Sequence, residues 1–150
     1  NKLNVGTGIT INAATNTIEV GGSRIADASG NASFVGVVTA TAFDTSIGEI
    51  RGISTTVTST SAVVILGLTT AYRSASYQIQ ATQGSNYNMT NINVIHDGTN
   101  TYMNEFGTIN VPTGIATYNT DINSGKLRLI GYPASSNSTT FKVFSTALDR

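Results

Sequence analysis

The sequence predicts an all-β protein: a short β-stem segment, residues 1–48, followed by an antiparallel, jelly-roll-like β-sandwich head, residues 49–150. Three observations carry this. Thr, Val, Ile, Tyr and Phe, which fit a pleated surface, recur along the whole chain. Breaks rich in Asn, Gly and Ser interrupt them every 8 to 12 residues or so, the rhythm of a sandwich or barrel. No window sustains the i, i+3, i+4, i+7 apolar spacing of a helix, so helix is confined to a single expected turn around Ala42–Ile47.

The first elements are thin. Ile9 and Ile11 alternate with Thr10 and Asn12, Ala14-Thr15-Asn16 turns the chain, and Thr17–Val20 returns as a second strand. An isolated hairpin of this kind is at best marginally stable in water. Residues 23–48 add Arg24-Ile25-Ala26 and Phe34-Val35-Gly36-Val37-Val38, again with few large side chains. Such a segment cannot bury enough apolar area by itself. It is expected to be disordered, docked on the remainder, or wound with copies of itself. The chain begins at Asn rather than Met, as expected for a fragment of something longer.

Residues 49–150 have the size of a common domain. Strands are expected near 49–58, 61–67, 75–82, 87–96, 100–109, 114–121, 126–132 and 139–148. Asp97-Gly98 is the strongest hairpin signal and joins the fourth to the fifth. Asn123-Ser124-Gly125 and Ser135–Ser138 make later turns. Pro112 and Pro133 fall at strand ends, where a missing N–H does least harm.

The alternation in these strands is informative. Leu127 and Leu129 share one face while Lys126, Arg128, Ile130 and Tyr132 share the other; Ile92 and Val94 oppose Met89 and Ile95; Phe141 and Val143 oppose Phe144 and Leu148. A solvated outer face should be polar. Apolar groups on both faces imply a second covered surface, supplied either by residues 1–48 or by another subunit. Candidate interface residues are Ile9, Ile11, Ile18, Val37, Phe43, Ile130, Phe144 and Leu148.

Composition excludes several functions. The chain has 8 basic and 8 acidic residues, no net charge and only 11% charged residues, against about 25% in an average domain. Nucleic-acid or membrane-surface binding needs a basic field that is missing here. No stretch approaches the roughly 20 apolar residues of a membrane-spanning helix. Without cysteine there is no thiolate metal site. Thr, Ser and Asn together supply 54 residues, so the surface is largely hydroxyl and amide.

Chemistry is sparse. His96 is the only imidazole, and Asp97, next to it in sequence, points the other way along a strand. His96 is expected to bond to backbone or solvent; the alternative is a metal shared on a three-fold axis. A glycosidase needs two carboxyl groups roughly 5 to 9.5 Å apart across a cleft. Glu105 with Asp121 or Asp97 is the conceivable pair, with nothing in the spacing to single it out. Asp97-Gly98-Thr99-Asn100 lacks the repeated ligands of a calcium loop, and Gly6-Thr7-Gly8 lacks the Lys-Ser/Thr of a phosphate loop. No catalytic residue, metal or cofactor is expected. Tyr87, Tyr102, Tyr118 and Tyr132 are the candidate glycan contacts, since a ring beside Asn, Ser and Thr can stack on a sugar while its neighbours bond the hydroxyls. The alternative is that these rings fill sheet faces and interfaces.

Gly6–Ile18 and Phe34–Phe43 resemble the repeats of phage virion structural and fibre proteins, notably those of T4-like cyanophages. Tyr77–Thr82, the block Val94-Ile95-His96-Asp97-Gly98-Thr99-Asn100-Thr101-Tyr102 running on to Thr108, and Lys126–Leu129 resemble a C-terminal β-domain of the same proteins. The resemblance implies a homotrimer with a slender intertwined stem and a β-sandwich head. It further implies a non-enzymatic role on the virion, as a fibre or surface appendage. The partners expected are other copies of the chain and other virion proteins, with a host-surface glycan as a further contact through the tyrosines; the composition already excludes nucleic acid and membrane insertion.

Overall fold

In a computed structural model, residues 2–5, 8–20, 23–26, 32 and 38–150 are described. Among them every regular element is a strand and every strand pairing is antiparallel. The chain divides into two compact units, Asn1–Ala40 and Thr41–Arg150.

The first unit is a four-stranded meander of β1 (Lys2–Val5), β2 (Ile9–Asn12), β3 (Thr17–Val20) and β4 (Ser23–Ala26). The β2–β3 hairpin pairs Ile9 with Val20 and Ile11 with Ile18. Asn16 closes its turn in the left-handed conformation, which Asn tolerates better than most residues. The Asn12 side chain accepts a hydrogen bond from the Ala14 N–H at 3.1 Å. The polar side of this hairpin is the covered one: Asn12 and Thr17 are buried, whereas Ile9, Ile11, Ile18 and Val20 are each at least 40% exposed.

The second unit holds β5 (Ala42–Thr45), β6 (Gly48–Val57), β7 (Val63–Thr69), β8 (Tyr72–Gln83), β9 (Asn86–His96), β10 (Thr101–Val111), β11 (Ala116–Asn123), β12 (Lys126–Pro133) and β13 (Thr139–Asp149). The eight strands expected from residue 49 onward lie within a few residues of β6 to β13. One sheet has the order β10-β9-β8-β13-β6-β5 and the other β11-β12-β7. The core between them takes Ile65, Leu66 and Leu68 from β7, Leu127 and Leu129 from β12, and Tyr77, Ile79, Ile92, Phe141 and Val143 from the larger sheet. Complete burial is worth about 1.5–3 kcal/mol for each such side chain. Tyr118 meets Phe141 edge-on across the core, ring centres 6.1 Å apart.

Several expectations need correction. Sheets of six and three strands, with β8-β9-β10 as a simple meander, are not the two balanced sheets of a jelly roll. Instead β13 returns beside β8, the order of a Greek key, with the β11–β12 hairpin inserted before the return. Ala42–Thr45 is a strand rather than a helical turn, because Phe43 and Asp44 pair with Ile50 and Glu49. These residues therefore sit in the second unit's sheet. Ile130 lies on the outer side of the three-stranded sheet but is only 7% exposed. It occupies the central strand between Asn119 and Val64, where a register shift at Leu129–Ile130 leaves Ile65 as an extra residue on β7. Ile130 has little area to give a partner. Val37 lies outside the described residues.

Candidate functional site

The register of the six-stranded sheet fixes which side chains share its outer face, away from the core. Across strands they form rows: Leu148–Ser74–Ile95–Tyr102, then Thr146–Ser76–Asn93–Asn104, Phe144–Gln78–Asn91–Phe106, Lys142–Gln80–Met89–Ile109 and Thr140–Thr82–Tyr87–Val111. On the other side of β13, Ile50 and Gly52 lie opposite Thr146 and Phe144, and Phe43 of β5 lies beside Ile50. The β8 column is polar throughout, because its apolar residues Ala75, Tyr77, Ile79 and Ala81 all turn inward to the core.

Apolar groups gather on either side of that column. One flank is Phe43, Ile50, Phe144 and Leu148; the other is Tyr87, Met89, Ile95, Tyr102, Phe106, Ile109 and Val111, and each of these side chains is 37–59% exposed. At about 200 Å² per large side chain, the two flanks leave on the order of 1,000 Å² open. The larger flank alone, at roughly 700 Å², exceeds the roughly 300–600 Å² of the largest apolar patch on a typical monomer. Lys142 is the one charged side chain in this face among the described residues. Between the flanks run open grooves, one of about 560 Å³ with Gln78 and Gln80 between Phe144 and Met89, and one of about 540 Å³ with Ser74, Ser76 and Asn93 between Leu148 and Tyr102.

The outer face of the three-stranded sheet is unlike it. Lys126, Arg128, Asp121, Asn119 and Asn123 stand there beside Tyr132, which is paired with Thr117. Arg128 donates from Nε to Asp121 Oδ1 at 2.6 Å, and its Nη2 donates to Asp121 Oδ2. This pairing raises the pKa of the guanidinium.

The candidate catalytic groups are occupied structurally and do not converge. Asp121 is held by Arg128, whereas Glu105 accepts hydrogen bonds from the Thr90 and Thr108 hydroxyls at 3.0 and 3.3 Å. Asp97 Oδ1 accepts the Thr99 and Asn100 N–H groups, both at 2.8 Å, and Oδ2 accepts the Tyr102 hydroxyl at 3.1 Å. Those bonds, the Asn100 amide first, hold the Asp97 carboxyl well below the usual carboxylate range. In turn the Asp97 carboxylate raises the Tyr102 phenol. His96 is 2% exposed, and its Nε2 donates to the Tyr72 carbonyl at 2.6 Å. A ring so enclosed does not reach out to a shared metal. No cluster of three His, Asp or Glu side chains among the described residues is arranged to hold a metal ion.

The four tyrosines named from the sequence separate. Tyr87 and Tyr102 stand on the apolar face, and Tyr132 is 37% exposed on the polar one. Tyr118 is buried, its hydroxyl bonded to Asn88, and burial raises its pKa, so it contacts no external ligand. Of the interface residues, Phe43, Phe144 and Leu148 share the apolar face. In the far flank the sequence marks Met89 and Ile95 as apolar groups on a second face and Tyr87 and Tyr102 as glycan contacts, but Phe106, Ile109 and Val111 were not singled out. Their signal was the strict polar alternation of Ser74, Ser76, Gln78 and Gln80, which marks an outward column.

No family model matches the chain, and no curated protein matches it. Among solved structures it is similar to the tailspike protein of Acinetobacter phage vB_ApiP_P1, at 14% identity and a TM-score of 0.42. That match covers 86% of this chain and spans about a quarter (26%) of the tailspike chain.

Proposed function

We propose that this chain is a non-enzymatic structural module of a phage virion, part of a homotrimeric fibre or surface appendage. The carrying observation is the wide outer face of the six-stranded sheet, large in apolar area and almost free of charge. Interface cores share that depletion of charged residues, and the area is comparable to the roughly 800 Å² that each partner contributes to a standard interface. The hairpin sheet of the first unit adds Ile9, Ile11 and Ile18, which are exposed and have the same need of cover. A stem closed from several chains meets it and removes free strand edges. The host contact belongs to the three-stranded sheet, where Tyr132 beside Thr117 and Asn119 offers a ring and hydrogen-bonding groups to a surface glycan.

Mass measurement of the chain by sedimentation equilibrium tests the assembly. Three times the chain mass is expected, and a stable folded monomer overturns the reading. Gold-labelled antibodies to the chain, applied to intact particles, should decorate a fibre or appendage; decoration of the capsid shell would make it a capsid decoration module instead.

A further inference from the structure

We infer that the outer face of the six-stranded sheet takes two further copies of this chain head-to-tail, the Phe144 flank of one copy against the Ile109 flank of the next, around a three-fold axis that the β8 column faces. This rests on the homotrimer reading above and specifies the surface and its symmetry. Area comes first: each junction of the ring buries one flank of each kind, on the order of 1,000 Å² of apolar surface in all, about the least that a specific interface needs.

The arrangement of that area then selects the symmetry. The two flanks are different surfaces, separated by strands β13 to β9, roughly 10 Å at the usual strand spacing. A flank that meets the other kind of flank on the next copy makes a heterologous contact, which closes into a ring when the rotation permits. The competing arrangement is two faces stacked about a two-fold axis. Stacking would press the Ser76, Gln78 and Gln80 columns of two copies together out of water, and each buried polar group left unbonded costs free energy. It would also set groove against groove, each of about 560 Å³, with nothing convex to fill either, and close packing is what makes such contacts favourable. A three-membered ring joins the projecting flanks and leaves the amide column wet on the axis.

The test uses two variants of the chain, Phe144→Asp in one flank and Ile109→Lys in the other. Both positions are about half exposed, Phe144 at 54% and Ile109 at 59%, so each variant should keep the β fold by circular dichroism. If a charge disturbs it, Phe144→Ser and Ile109→Ser serve the same purpose. Wild type should sediment as a trimer and each variant alone as a monomer. An equimolar mixture of the two should give a dimer, because one intact flank of each kind remains and makes a single junction. Variants that stay trimeric, or a mixture that stays monomeric, overturn the inference and leave the trimer reading standing. A dimeric wild type overturns the ring in favour of the two-fold stack, and a monomeric wild type overturns the trimer itself.

Discussion

The Tyr118 hydroxyl donates to Asn88 Oδ1 at 2.8 Å, joining the three-stranded sheet to the six-stranded sheet through a buried bond. Asn88 spends its amide on Asn110 Oδ1 at 2.7 Å, so both ends of the side chain are satisfied. A polar pair fully matched inside a core fixes how two sheets sit on each other more narrowly than apolar contact does.

Tyr118→Phe keeps the ring against Phe141 and removes only the donor, leaving Asn88 Oδ1 short of a partner. Urea unfolding should show a loss of about 1–3 kcal/mol, the cost of a stranded buried acceptor. Glycan binding, if measured on the same protein, should be unchanged.

Asp97 should stabilise the β9–β10 turn in a pH-dependent way. Its folded-state pKa is depressed, so its contribution is complete above the unfolded carboxylate value and is lost as pH falls below it. Wild type should therefore melt above Asp97→Ala at pH 7. The gap should narrow from about pH 4 downward. A gap that stays constant to pH 2 would show that the carboxylate is not the source.

Two glycines predict an order of damage. A methyl on Gly48 would run into the backbone carbonyl of Ala147, which cannot give way without opening the β6–β13 pairing. A methyl on Gly131 would meet the tips of Ile65 and Phe141 at 2.7 and 3.2 Å, and side-chain tips can shift. Gly131→Ala should cost about 1–3 kcal/mol, the range for overpacking a core. Gly48→Ala should cost more, and thermal melts of the two variants check the ranking.

Asp121→Asn removes one partner of a pair at the surface, where Arg128 is 25% and Asp121 40% exposed at the side chain. The stability loss should be at most about 1 kcal/mol. Incubation of wild type with host polysaccharide should release no reducing ends. Release that Asp121→Asn or Glu105→Gln abolishes would instead make the protein a glycan-degrading enzyme.

The strands of the second unit were legible because their alternation is local: Ala75, Tyr77, Ile79 and Ala81 point in while Ser76, Gln78 and Gln80 point out, and Asp97-Gly98 turns the chain between β9 and β10. Which strands become neighbours was not legible. β13 lies beside β6 through pairs such as Phe144–Gly52, and nothing near either residue in sequence states that pairing. Phe43 read as part of a helical turn because four residues carry too little pattern to reveal an edge strand. Tyr118 read as a ligand contact for a related reason: Thr117 and Asn119 are exposed on either side of it, and only the sheet opposite shows that the intervening ring is inside. Apolar residues on both faces of β9 and β13 were visible in the sequence. The division of the outer face into two flanks needed the register.

The position of β13 has a kinetic consequence. The Thr56 and Thr140 hydroxyls meet at 2.9 Å across a sequence separation of 84 residues. During synthesis β8, β9 and β10 can zip together as soon as they emerge, since each is joined to the next by a short turn. β6 can pair early only with the short β5, and its other edge must wait for β13, which is translated after all its neighbours in the sheet. Distant pairings of this kind close slowly, because the loop entropy is lost before the contacts form. A growing chain therefore holds its larger sheet split in two until Asp149 has left the ribosome. The flank that carries Phe144 and Leu148 forms only then, so partner chains should join through it only after β13 has paired.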